Sequence, residues 1–236
     1  ARHLPRSFVA RRMARTRRPR RTGPSERTPP RGRAYPCGAV AGEDVRVISD
    51  VVLDPVFDGD GIRLPGGDGL LPYAAPGGLL PATAVREADP DALPPEIRTR
   101  SGEIVFVSSV RRAELERFCA DHGIPLRSRP DVWGDLLEPF LDTEFDSRQR
   151  AATLDRLAAA GVDATEAAAI RERVGPFMAA YNSVHQDWFH LGLADLLDAA
   201  RSDLVPEDLR IPPADLRTFR TWATELAARP DRRRPR

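Results

Sequence analysis

The chain has 236 residues, 41% hydrophobic and 30% charged, with a formal net charge of +1, enough apolar sequence to bury a sizeable core. No apolar run reaches the roughly 18 residues that span a bilayer. The segment from Leu4 to Ala14 is broken by arginines where a secretory signal needs an apolar stretch, so a cytoplasmic protein without a membrane span is expected.

The near-zero net charge hides a strong asymmetry. All 36 basic residues are Arg, and Asn182 is the only Asn; this bias matches a GC-rich bacterial genome and weakens Arg abundance as a sign of nucleic-acid binding. Residues 1–33 carry twelve Arg against one acid, Glu26, and residues 229–236 carry five Arg against Asp231. Residues 34–228 keep 19 Arg against 33 acids, a net charge of −14. An acidic body repels phosphate backbones, so nucleic-acid contact is expected only through the Arg-rich tails.

In chain order, residues 1–43 form an expected disordered tail: Arg17-Arg18-Pro19-Arg20-Arg21 repels itself, and Pro29-Pro30 breaks helices. The same segment has the Arg-rich, acid-poor character of a transit peptide, and Met13 offers an alternative start. Residues 229–236 form a second such tail. Residues 44–128 predict a small α+β region. Val45, Val47, Val51 and Leu53 are strand formers, and Asp58-Gly59-Asp60-Gly61 is a hairpin turn between Val56-Phe57 and Ile62-Arg63-Leu64. A calcium loop starting at Asp58 fails, because its twelfth position is Gly69. Residues 65–95, rich in Gly and Pro, predict irregular β-structure with surface loops and a linker around 86–95.

Ile97–Arg100 is predicted to face Ile104–Val107 across a two-residue Ser101-Gly102 turn, with the second strand central because both of its faces are apolar. Ser108 or Ser109 then caps a helix to His122, with Val110, Ala113, Leu115, Phe118 and Cys119 inward and Gly123 at its stop. Ile124-Pro125-Leu126 gives a short strand parallel to 103–108, closing a β-α-β unit. Residues 129–228 predict a helical region. Ser128-x-x-Asp131 opens a helix that Pro139 kinks or ends. Asp146-x-x-Gln149 opens the next, with Ala151, Leu154, Leu157 and Ala158 inward; Asp163-x-x-Glu166 opens a third that runs to about Val184 with an interruption at Gly175-Pro176. Trp188–Ala200 and Pro213–Ala228 follow. The expected fold class is α+β: a small, mostly antiparallel sheet in the N-terminal half packed against a helical C-terminal half, with disordered basic termini.

Chemistry is sparse. No Gly-x-Ser-x-Gly elbow, P-loop or dinucleotide fingerprint is present. Cys37 and Cys119 make no disulfide or zinc spacing, and a Cys119–His122 pair lacks a third, orienting group. Two windows concentrate metal-capable residues: Glu138, Asp142 and Glu144, and His185, Asp187 and His190. Residues four apart share a helix face, so Glu138 and Asp142 are candidate ligands of a divalent metal; His185 and His190 lie about 140° apart on a regular helix and converge only if His185 precedes it. The simpler roles are helix caps at Asp142, Glu144 and Asp187, and packing at His190. The aromatics, Trp133, Phe145, Trp188, Phe189 and Trp222 among them, are expected to fill the core, and any left exposed would mark a groove. Three functions follow. The leading one is a non-enzymatic acidic interaction module that binds a protein partner. The second is a metal-dependent enzyme, such as a hydrolase, using the carboxylates of 138–144 with His185, Asp187 and His190. The third is nucleic-acid binding through the tails.

Overall fold

The computed structural model describes residues 51–65, 78–187 and 189–230; residues 1–50, with Cys37, Val45 and Val47, residues 66–77, Trp188 and residues 231–236 lie outside the described residues. Two small sheets precede a largely helical second half, so the fold is α+β. The first sheet has the order β1 (Val52–Leu53), β7 (Ile104–Val107), β6 (Glu96–Thr99), β5 (Val85–Asp89), with β1 parallel to β7 and the other pairs antiparallel. The second joins β2 (Val56–Asp58), β3 (Gly61–Arg63) and β4 (Leu79–Pro81), all antiparallel. Asp58 pairs with Gly61 across the expected turn, where Gly59 takes a left-handed φ of 52°.

β7 is central and buried along its whole length. Its alternation serves two cores. Ile104 and Phe106 join the helices, whereas Val105 and Val107 pack with Ile62, Leu80, Leu115 and Phe118. The β6–β7 turn is one residue longer than the expected Ser101-Gly102. Arg98 pairs with Ile104, the Thr99 amide donates to the Glu103 carbonyl at 2.9 Å, and Gly102 sits at φ 92°. A three-residue loop closed by a left-handed glycine accommodates the strand twist.

α1 (Arg112–Asp121) starts later than expected, after a single tight turn at Ser109–Arg111 that leaves Val110 80% exposed; no serine side chain caps it. Gly123 stops it at φ 63°, and the Ile124 amide returns to the Cys119 carbonyl at 2.8 Å. Leu126 then forms a parallel bridge to Ala88 of β5, not to β7. β7 already has β1 and β6 on its two sides, so the free edge at β5 takes the segment.

Asp131, not Ser128, caps α2 (Val132–Leu137), accepting from the Gly134 amide at 2.8 Å. Pro139 ends this helix in a tight turn at Glu138–Phe140. Asp146 and Gln149 form a full capping box for α3 (Ser147–Ala159). Its inner stripe is Thr153, Leu157 and Ala160; Ala151, Leu154 and Ala158 face solvent. Leu157 is inward as expected; the other three positions of the expected stripe are not, and Thr153 is drawn inward by Glu138, to which its hydroxyl donates at 2.8 Å. α4 (Ala164–His185) is capped by Asp163 and runs unbroken through Pro176, whose ring is on the exposed side. α5 (Leu193–Ala199) begins at Leu193, and α6 (Leu216–Ala227) closes the fold.

Trp133 is fully buried where α2 meets α6: its indole N–H donates to the Ala223 carbonyl at 2.9 Å, and its ring stands edge-on to Trp222 at 5.5 Å. Trp133→Ala is expected to cost about 3–5 kcal/mol in denaturant unfolding, whereas Trp133→Phe, which keeps most of the volume and loses the donor, costs about 2 kcal/mol.

Candidate functional site

The helix-facing side of the first sheet changes character across its width. On β7 it carries Ile104 and Phe106. Register then places Arg98 beside Ile104 and Glu96 beside Phe106, and Glu87 and Asp89 beside Arg98 and Glu96 in turn. Residues paired directly across strands share a face, so half of this face is charged. Glu87, Asp89 and Arg98 are all buried. Buried charges persist only with partners: Glu96 supplies one for Arg98, whose Nε is left without a hydrogen bond, and the segment Ser128–Asp131 supplies them for Glu87 and Asp89. Arg129 donates Nε to Glu87 at 2.9 Å and also bonds it through Nη2, and its backbone amide donates to Asp89 at 3.0 Å. Burial works against the charge of Glu87, yet Arg129 and Arg86 outweigh it and hold the carboxyl below its ordinary value. Glu96 goes the other way. Burial raises it, the Arg98 pair at 2.8 Å offsets this only in part, and the charges of Asp131 and Asp89 add to the rise.

Beyond this segment lies a cleft of about 490 Å³ between α2, α3 and the loop before α5. Three carboxylates of one helical face line it: Asp131, Asp135 and Glu138, at i, i+4 and i+7. Each meets a fixed donor. Asp131 lies 2.7 Å from His190 Nε2, Asp135 accepts from Arg156 at 2.6 Å, and Glu138 accepts from Thr153. Burial raises Asp135, Arg156 lowers it, and its neighbours Asp131 and Glu138 push it up further. Leu141, Phe145 and Phe189 form the apolar part, with Phe189 71% exposed.

Asn182 holds two margins of this cleft. Its amide donates to the carbonyls of Phe140 at 2.8 Å and Asp187 at 2.9 Å, and its oxygen accepts from the Asp187 amide at 2.8 Å. The Asp142 amide then reaches the Asp187 carbonyl at 3.3 Å. The two metal-capable windows of the sequence are therefore adjacent in space. Their side chains go to separate tasks. Glu138 holds Thr153. Asp142 and Glu144 are exposed on the loop before α3. Asp187 accepts from the amides of Phe189 and His190, so it caps a turn and not α5. His185, exposed at the end of α4, stacks on Tyr181 at 5.0 Å, and His190 faces Asp131. Among the described residues no three His, Cys, Asp or Glu side chains come together as a metal-holding group. Cys119 is buried, with its thiol pushed up to about 11, and His122 is stacked on Phe118 at 4.3 Å.

Asp131, Asp135, Arg156 and Asn182 were not candidates from sequence. The 131/135/138 spacing was legible as one helix face; the pairing of His190 with a residue 59 positions away was not. Comparison with protein-family models, with curated proteins and with solved structures finds no match for this chain.

The Asp131 hydrogen bond raises the pKa of His190, burial pulls it down, and the nearby carboxylates of Asp131, Asp195 and Asp187 add to the rise. A raised histidine stabilises the fold fully below its unfolded value of about 6.5 and loses that contribution as pH rises through the folded value. His190→Gln is therefore expected to destabilise by about 1 kcal/mol at pH 5.5 and by less at pH 9, read from paired thermal melts. Asn182→Ala, which strands the Phe140 carbonyl and the Asp187 amide, is expected to cost about 2–3 kcal/mol, and amide exchange at 140–142 and 187–190 should quicken.

Proposed function

We propose that this protein is a non-enzymatic acidic interaction module that receives a segment of a protein partner in the cleft beside α2. One observation carries the reading: Phe189, 71% exposed, stands at the rim of a 490 Å³ cleft whose charged groups are already answered by partners within the fold. A large exposed aromatic at the edge of a concave, partly apolar surface is the usual form of a binding anchor. A carboxylate fixed by Arg156, and another by the Thr153 hydroxyl, shape a surface and hold it rigid. The net charge of −14 over residues 34–228 directs the choice of partner away from nucleic acid.

Selection of displayed random peptides on the full chain tests this. Enriched peptides are expected to bind the wild type and to lose about tenfold or more in affinity on Phe189→Ala, with folding stability changed by under about 1 kcal/mol. Val110→Ala, at an exposed residue of the turn before α1, should leave binding unchanged. Peptides insensitive to Phe189→Ala, or no enrichment at all, would sink the reading.

A further inference from the structure

The charges around the cleft go further than its shape, and name the chemistry of the occupant. Among the described residues two arginines line the cleft, and both are committed inside the fold. Arg129 is bound to Glu87 and Arg156 to Asp135 and Thr153. Setting those pairs aside leaves Asp131 and Glu138 on the α2 wall, faced by one imidazole and one hydroxyl. The opposite margin is the loop from Leu141 to Asp146. Leu141 and Phe145, four residues apart, turn into the cleft, while Asp142, Glu144 and Asp146 are exposed. Arg150 of α3 touches this loop: its Nε donates to the Phe145 carbonyl at 3.1 Å. The next turn of chain adds Asp187, held against Asp142 by its carbonyl. Among the described residues, the apolar surface of Phe145 and the rim residue Phe189 is thus bordered by more carboxylates than cations.

Such a surface selects by charge as well as by shape. A segment carrying Arg or Lys on either side of an apolar side chain satisfies both parts: its side chain covers Phe145 and Phe189, and its cations meet the exposed rim carboxylates. An acidic segment would bring like charges against Asp142 and Glu144, which penalises association. The aromatic rings add to the attraction, because a guanidinium or ammonium laid on a phenyl face is favoured. We infer that the cleft takes a short basic segment of a protein partner, with an apolar or aromatic residue between its positive charges. This inference rests on the docking reading given above.

The test uses the full chain and three synthetic ten-residue peptides that share a central Phe-Leu pair: one flanked by arginines, one by glutamines, one by glutamates. A fourth probe is an oligoarginine without apolar residues. Fluorescence anisotropy measures each against the wild type, Phe189→Ala, and the Asp142→Asn/Glu144→Gln double variant. The arginine-flanked peptide is expected to bind at least about tenfold more tightly than the glutamate-flanked one, and to weaken about tenfold from 50 to 500 mM salt, since exposed charges are screened over that range. The double variant should lose about fivefold for the arginine-flanked peptide and nothing for the glutamine-flanked one. If all three Phe-Leu peptides bind equally and Phe189→Ala abolishes each, the charge inference falls while the docking reading stands. If oligoarginine binds as well as the arginine-flanked peptide, attraction is diffuse and the inference falls. If no peptide binds the wild type, both fall.

Discussion

The burial of α2 is the constraint on which the rest of this structure depends. The helix is six residues long, too short to hold itself together in water. Its neighbours stabilise it instead. Val132, Trp133, Leu136 and Leu137 are all buried, and the indole of Trp133 is fixed to α6. Arg171 of α4 donates to the carbonyls of Asp135 and Leu136, which no further helical turn would satisfy. That half-buried guanidinium has its pKa lowered by burial, partly restored by Glu138 and Asp135. Because α2 is locked at its start by Asp131, at its middle by Trp133 and at its end by Arg171, the carboxylates along its outer face hold fixed positions. The cleft inherits that rigidity.

A second constraint is the charged half-face of the first sheet. An apolar face there would have packed against the helices directly. Instead, Glu87, Asp89, Glu96 and Arg98 require polar cover, and Ser128–Asp131 is drawn across them by Arg129. The segment therefore leaves the sheet at a defined place and delivers Asp131 both to the start of α2 and to His190. The folding energetics and the geometry of the cleft thus share residues: the pairs that make buried charge tolerable also set one wall of the site.

The elements that sequence revealed are those with local causes. Asp146 with Gln149, Asp163 and Gly123 act within a few residues of themselves, and each sits where expected. Pro139 ended its helix for the same reason. What stayed hidden was set at a distance. The stripe of α3 rotated because Thr153 bonds Glu138 of another element. Leu126 joined β5 because β7 was already flanked. Phe189, which hydrophobicity alone sends to the core, is held outward after a turn fixed by Asp187 and Asn182. In the candidate site, residue types were legible and their partners were not. The metal-capable windows, Glu138, Asp142 and Glu144, and His185, Asp187 and His190, stood out in sequence, yet their adjacency depends on the amide of Asn182, a residue whose composition-level rarity says nothing of what it touches.

β7 has apolar side chains on both faces, and this has a consequence for how the molecule comes apart. Ile104 and Phe106 belong to one core, Val105 and Val107 to the other, so this strand is a wall common to both. Stripping either side would leave two large side chains in water and remove the support of the strand itself. The two cores, though drawn largely from different halves of the described residues, are therefore expected to melt as one unit, with a single heat-absorption peak. The amide protons of β7 then exchange with solvent only when the entire fold opens, and they report its global stability directly.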